Sequence, residues 1–372
     1  MIVKHAQTKI DLRIFIGITV ILILIGCLFI YSASSVYALE TFGFSHYFIK
    51  KQLFGLSLGI VGFIIARFTP LNLIKKLSPL LFIGTLSLTA LTLIPIISYR
   101  IHGSSRWLNI AGFSFQPSEL LKIAFVLYIA YFLSKRERRT ISFARTYLPF
   151  LVIIGITSII LLQQPDFGLT ITLATTAITL LFIGQFHAAY LSALFATCIP
   201  LVITLILIKP YRIKRILTFL NPWNDPQGAG FQIIQSLIAI GSGSFCGIGI
   251  SNSKQKFFYL PMQHTDFIFS IIAEETGFIG SLLLISLYML FTYFGMKLAW
   301  QMKDSFCIFA TLGFIILISL QTIINLAVTT GLAPTKGIGL PFVSYGNTSL
   351  VCIIFMIGLI INMAYYNMYS SY

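Results

Sequence analysis

Apolar runs of about 17–25 residues, separated by short polar or charged segments, recur along the whole chain, and each is long enough to cross a hydrocarbon core of about 30 Å. Ten such runs fall roughly at 14–33, 49–67, 78–97, 116–134, 147–163, 168–185, 189–208, 267–296, 305–330 and 348–367. The pattern predicts an all-α polytopic membrane protein of about ten transmembrane helices. One long extracytoplasmic loop, 209–265, separates the seventh from the eighth. The other connections are shorter than about 25 residues, too short for an independent core. The expectation is therefore a single integral-membrane domain over 1–372. The first run, Ile14 to Ile30, is read as a retained helix, because no small-residue cleavage site followed by a soluble domain comes after it.

Composition agrees with the periodicity. The 372 residues are 57% hydrophobic and only 9% charged, with a mean hydropathy of +0.93, far from a soluble domain. The net charge of +15 raises nucleic acid as a partner. The basic residues lie in loops between apolar runs, however, so the membrane accounts for them and nucleic acid is excluded. With the N-terminus inside, the inner loops carry thirteen Lys and Arg, from Lys4 to Lys303 and including the cluster Lys135-Arg-Glu-Arg-Arg139. The short outer loops carry five, Lys50, Lys51, Arg100, Arg106 and Lys336. That bias places both termini in the cytoplasm of a multi-pass membrane protein. The long loop adds Lys209, Arg212, Lys214, Arg215, Lys254 and Lys256, but loops of this length obey the charge rule poorly. Within it, Phe231 to Ile240 is apolar but too short to span and runs into Gly241-Ser-Gly-Ser-Phe-Cys-Gly-Ile-Gly249, the pattern of a re-entrant or interfacial segment. The five cysteines have neither a disulfide framework nor metal-ligand spacing.

Candidate chemistry concentrates in Tyr259-Leu-Pro-Met-Gln-His-Thr-Asp-Phe-Ile-Phe-Ser-Ile-Ile-Ala-Glu-Glu-Thr-Gly277, which holds three of the chain's ten acidic residues. A charge at a membrane helix centre costs roughly 2.5–3.5 kcal/mol on insertion scales, so such a concentration needs a reason. Asp266 reads either as a helix N-cap or as a base at the edge of a low-dielectric region near cations. No Glu or Gln follows three residues on to complete a capping box. Glu274 and Glu275 lie about 12–14 Å deeper, at 1.5 Å per residue, as partners for polar groups on other helices. Glu119 and Lys122 share one helical face, as a packing ion pair or as support for a catalytic face; Pro117 suits that helix's first turn. Asp166, in Gln163-Gln-Pro-Asp-Phe-Gly168, reads first as a turn or cap residue. Gln321 and Asn325 read as interhelical hydrogen-bond glue; His102 and His187 receive no role.

Six blocks then add up to a resemblance. They are Gly103-Ser-Ser-Arg-Trp-Leu, Gln116-Pro-Ser-Glu-Leu-Leu-Lys, Gln164-Pro-Asp-Phe-Gly, Tyr259-Leu-Pro with His264-Thr-Asp-Phe-Ile-Phe, Ala273-Glu-Glu, and Pro341-Phe-Val-Ser-Tyr-Gly346. Each is weak alone; together, in family order over nearly the whole length, they resemble the SEDS family (shape, elongation, division and sporulation) of membrane glycosyltransferases. Phe219-Leu-Asn-Pro-Trp-Asn-Asp-Pro-Gln-Gly, Ser253-Lys-Gln-Lys256 and Pro334-Thr-Lys-Gly337 are similar to its division-type, FtsW-like branch rather than the elongation-type, RodA-like one. The chain departs from the family pattern at Met262-Gln263, at Asn347-Thr348 and at Ser244.

The resemblance implies a peptidoglycan glycosyltransferase that polymerises lipid II at the outer face of the cytoplasmic membrane during cell division. Asp266 would be the general base. Arg106, Arg212, Arg215, Lys256 and Lys336, with His264, Thr265 and Ser344 of the matching motifs, would bind substrate and its pyrophosphate. Glu119, Lys122, Asp166, Glu274 and Glu275 would support the site. No tightly bound cofactor or metal is implied; a divalent cation, Mg or Mn, would arrive bridged by the pyrophosphate. Implied partners are lipid II, a class B penicillin-binding protein acting as transpeptidase, and other divisome membrane proteins. Two other classes fit the same chain, a lipid II flippase using intramembrane Glu119 and Lys122, and a division scaffold that recruits the transpeptidase.

Overall fold

The computed structural model describes residues 2–94, 98–101, 104–110, 113–135, 148–184, 210–257 and 260–369. Its helices in chain order are α1 (Ile2–Phe42), α2 (Tyr47–Phe68), α3 (Leu71–Leu91), α4 (Pro117–Ser134), α5 (Leu148–Gln163), α6 (Phe167–Ile183), α7 (Pro210–Leu220), α8 (Phe231–Ser242), α9 (Ile268–Gln301), α10 (Ser305–Thr329) and α11 (Asn347–Tyr369). Seven of these, α1 to α4 and α9 to α11, are long and apolar enough to cross a membrane. The fifth and sixth expected spans correspond to α5 and α6, shorter apolar helices of 16 and 17 residues. The seventh, 189–208, lies outside the described residues, as do His102, His187 and the basic cluster beyond Lys135.

Two spans differ from expectation. Helix α1 runs over 41 residues, about 60 Å, so it passes well beyond the core of the bilayer at its ends. Helix α3 begins at Leu71 rather than near 78, directly after Pro70. The charged residues of its first turns are accommodated, with Lys75 Nζ 2.6 Å from Asp304 Oδ2 at the head of α10. The connection from α3 to α4, expected as plain loop, contains an antiparallel sheet of β1 (Ser98–Ile101), β2 (Ser104–Ile110) and β3 (Phe113–Phe115), in that order. Register pairs include Tyr99 with Trp107 and Leu108 with Phe115.

Helices α4 and α10 form the centre, and most of their residues are buried all round. Helix α11 lies along α2, where Gly55 and Gly59 let the backbones approach; a Cβ at Gly59 would fall 2.8 Å from Ile354 Cδ1. Asn362 Nδ2 closes the end of α2 by donating to Ala66 O and Thr69 O at 2.8 and 2.7 Å. Phe15 of α1 stacks on Phe291 of α9 with ring centroids 4.9 Å apart.

Helix α9 is two helices joined end to end. Gly277 has φ 67° and ψ −163°, which breaks the ladder after the buried half-helix 268–276. The glycine-rich turn after α8 takes over the orphaned groups. Phe278 and Ile279 N–H donate to Ser244 O and Phe245 O at 2.9 and 3.2 Å, and Ile248 and Gly249 N–H donate to Glu274 O and Glu275 O, each at 3.1 Å. Ser236 of α8 hydrogen-bonds Ser270 and Thr329 O, each at 2.6 Å, so the short apolar segment is clamped onto both neighbours. This half-helix carries Glu274 and Glu275 and begins two residues after Asp266.

Gly277→Ala is expected to destabilise the protein by about 1–3 kcal/mol through its backbone conformation alone. A clash adds to this, since the new Cβ would lie 2.3 Å from Gly247 N. Thermal unfolding in detergent measures it, and an unchanged midpoint would show that the break is not built in.

Candidate active site

The segment His264-Thr-Asp266 is held through its backbone. His264 O accepts from Tyr345 N–H at 2.9 Å, Thr265 O from Ser344 Oγ at 2.6 Å, and Asp266 O from Asn325 Nδ2 at 2.7 Å. Ser344 Oγ also accepts from Leu340 N–H at 2.6 Å, and Asn325 Nδ2 donates to Ile338 O at 2.8 Å. Three successive carbonyls are thus fastened to α10 and to the 338–346 segment. The N-cap of α9 is Phe267, and no side chain caps that helix. The carboxylate of Asp266 is therefore not spent on the helix terminus, and the capping reading does not hold.

Around that carboxylate four further segments converge. Gly337 stands where a Cβ would be 3.7 Å from Asp266 Oδ2 and 4.0 Å from Arg106 Nη1. Arg106, on β2, is itself clamped: Nε and Nη2 donate to Gln164 O and Pro165 O at 3.0 and 2.6 Å, and Nη1 lies 3.6 Å from Asp166 Oδ2. Asp166 also caps α6 by accepting from Leu169 N–H at 3.2 Å, so the expected cap is real and its other oxygen faces the arginine. From α7, Arg215 Nη1 donates to Thr335 O at 3.3 Å. Arg212 stands 5.2 Å from the Phe167 ring centroid, and Lys336 Nζ stands 5.6 Å from the same ring.

Asp266 is half-buried, ringed by protein yet touching solvent. Burial raises its carboxyl to about 7; Arg106 and Arg215 oppose the rise and Asp166 adds to it. Burial also draws the Lys336 ammonium below its ordinary value. His264 packs among Phe48, Tyr37 and Tyr345, with centroids 4.4, 5.7 and 5.8 Å away. Burial pulls the imidazole down to about 4, and Nδ1 is buried without a hydrogen bond. His264 is thus neutral near pH 7 and packs the loop; it offers no cation to a substrate.

Lys256 does not join this group, contrary to the sequence expectation. It is 3% exposed, sits 3.6 Å from Glu275 Oε1 and donates to Ser251 O. Ser32 of α1 bonds both oxygens of Glu275, at 2.6 and 2.7 Å. Glu274 finds its partners in the loop rather than on other helices, accepting from Ser253 Oγ at 2.5 Å and from Lys254 and Gln255 N–H at 3.0 and 3.4 Å. Both glutamates thus pin the loop that leads to Asp266. Glu119 and Lys122 pair at 2.6 Å, buried within α4. Sequence reasoning missed Asn325 as the tie on Asp266, Gly337 as the opening beside it and Phe167 as the shared ring. All three act across distant segments, and no local spacing signals them.

The family model for FtsW/RodA/SpoVE cell cycle proteins matches residues 12–369. The chain belongs to this family of helical membrane proteins. It is 40% identical over 351 residues to a probable peptidoglycan glycosyltransferase FtsW of Geobacter sp. (strain M18), covering 94% of this chain and 96% of the relative. It is 39% identical over 363 residues to the stage V sporulation protein E of Bacillus subtilis, covering 98% and 99%. One solved structure, described by its coordination of polymerization and crosslinking in a peptidoglycan synthase complex, superposes with a TM-score of 0.78 at 29% identity, covering 96% of this chain and 98% of that one. The rod shape determining protein RodA of Thermus thermophilus shares the fold, with a TM-score of 0.70 at 24% identity over 95% of this chain and 96% of that one. The predominance of FtsW among the relatives agrees with the division-type motifs.

Lys256→Met is expected to destabilise the protein by about 3–5 kcal/mol, because it strands a buried carboxylate. The double variant Lys256→Met/Glu275→Gln should recover much of that loss. If Lys256→Met instead keeps the thermal midpoint and only weakens substrate binding, the lysine belongs to the binding site after all.

Proposed function

We propose that this protein is a peptidoglycan glycosyltransferase of the division type, polymerising lipid II at the outer face of the cytoplasmic membrane, with both termini cytoplasmic. Names of relatives, motif order and fold support the activity. One arrangement carries the assignment of the base: Asp266, its carboxyl pushed up to about 7 by burial, stands near Arg106 and Arg215 on a backbone fixed at three carbonyls.

In this reading the acceptor sugar's 4-hydroxyl attacks the anomeric carbon of the donor. A glycosidic C–O bond forms, the bond to the undecaprenyl pyrophosphate breaks, and the hydroxyl proton passes to Asp266. A base with its titration point near the working pH combines availability with driving force. The departing diphosphate carries its charge toward Arg212, Arg215 and Lys336. Arg106 holds Asp166 and tempers the base, so its first role is to position. Thr265 and Ser344 act through the backbone ties, and Glu119 with Lys122 fixes the packing of α4. The guanidinium groups facing Asp166 and Asp266 make the donor set a poor fit for a resident divalent cation; Mg or Mn would enter bridged by the diphosphate. A class B penicillin-binding protein is the expected transpeptidase partner, with lipid II and other divisome membrane proteins.

Asp266→Asn, assayed on lipid II in detergent with the partner present, is expected to lower polymerisation by about 10²–10⁴-fold with folding intact. A flippase predicts no polymer from wild type but lipid scrambling in vesicles, and a pure scaffold predicts normal division with Asp266→Asn.

The rate should rise with pH through about 7, because the base works deprotonated. Arg106→Gln removes a cation that favours the charged carboxylate, so the acidic limb of the profile should move to higher pH. A limb that stays in place, or moves to lower pH, contradicts the assignment.

A further inference from the structure

Helix α7 carries two kinds of surface that the site does not fully use. Arg212 and Arg215, three apart, share the face turned to Phe167 and Thr335. Ile213, Leu217 and Leu220, spaced i, i+4 and i+7, form a second stripe. Leu217 and Leu220 are 60% and 70% exposed, and Trp223 in the following turn is 63% exposed. An eleven-residue helix leaving two leucines and a tryptophan in water would forfeit their burial for nothing.

We propose that α7 is a membrane-seated strap, its Ile213–Leu217–Leu220 stripe and Trp223 lying in the bilayer interface so that Arg212 and Arg215 are held against Phe167 and Thr335 at the edge of the site. The occupant of the apolar face is the lipid surface, and three observations select it over a partner protein. In the sequence the apolar run 189–208, long enough to span, ends two residues before Pro210, where α7 begins. The stripe is flanked by Lys214, 69% exposed at its side chain and paired only loosely with the exposed Asp225 at 3.9 Å, which leaves its ammonium within reach of anionic headgroups. Trp223 at the end of the strap is the side chain that favours the headgroup level. The seating is independent of the proposed reaction; only the statement of what the two arginines meet rests on that reading. The consequence is that the bilayer itself sets the depth of the diphosphate-facing cations, coupling the site to the membrane that delivers its substrate.

The test uses the full chain in vesicles of phosphatidylglycerol and phosphatidylethanolamine, with Trp107→Phe and Trp300→Phe so that Trp223 reports alone. Lipids brominated near the headgroup end of the acyl chain should quench its emission strongly, and lipids brominated near the methyl end weakly. Leu217→Ser/Leu220→Ser should cut the quenching at least about threefold, as expected when the buried apolar area is removed. The same variant should raise the KM for lipid II with little change in kcat. Should the single-tryptophan background fail to fold, a spin label at Leu220→Cys in a Cys246→Ser chain reads the same depth from its accessibility to oxygen against an aqueous relaxant. Emission that no brominated lipid quenches, a label open to the aqueous relaxant, or quenching that appears only after the transpeptidase is added would overturn the proposal. Normal quenching with no polymerisation would leave the strap standing and count against the enzymatic reading instead.

Discussion

The geometry of the site rests on the fastening of residues 264–266 by their backbone. A carboxylate can be kept poised in a desolvated place only if the chain beneath it cannot relax toward solvent or toward a partner. Here Tyr345, Ser344 and Asn325 each take one of three consecutive carbonyls. These ties use α10 and the 338–346 segment as a base plate and leave the side chain of Asp266 out of the hydrogen-bond network. Buried hydrogen bonds are modest individually, about 0.5–1.5 kcal/mol net, but costly to leave unmade. The segment is therefore held more by the penalty of disengaging than by the strength of any single bond.

The other acidic residues show how unusual this is. Asp11 pairs with Lys297, Glu119 with Lys122, Asp166 with Arg106, Asp225 with Lys214, Glu275 with Lys256 and Asp304 with Lys75. Glu274 is satisfied by loop donors. Among the described residues, Asp266 is the carboxylate withdrawn from full exposure that has neither an ion pair nor a hydrogen bond. The chain spends its cations locally wherever a charge is structural. At Asp266 it brings them near without contact, which leaves the proton free to come and go.

Much of the fold was legible from hydrophobic run length, because the bilayer imposes a length on every span. The places that were not legible are those where the chain meets its own distant parts. The early turns of α3 carry Lys75 to Asp304 on a distant helix, and the sheet around Arg106 depended on β2 meeting strands too short to announce themselves. Asp266 was found from its position at the entrance to a helix, and Asp166 and Arg106 from motif blocks. The separation of Lys256 from the cationic group was invisible, since a lysine in a polar loop looks the same whether it faces substrate or Glu275. Spacing along a chain cannot tell these apart, because the difference lies in Ser32 and Glu275 arriving from other helices.

The break at Gly277 connects these observations. An unbroken α9 would carry its outer end straight on, and Glu274 and Glu275 would have to be neutralised within the span. By stopping the ladder at Gly277 and handing its groups to residues 244–249, the chain makes a short, largely buried half-helix whose two glutamates hold the approach loop. Asp266 then stands on a platform supported from both directions, by carbonyl ties on one side and by carboxylate anchors on the other. Such a platform leaves the carboxylate at the end of a rigid element rather than on a free loop, as positioned proton transfer requires. On the proposed reading the lipid-borne sugars are the mobile partners, while the side chains assigned to the proton and the diphosphate stay where folding put them.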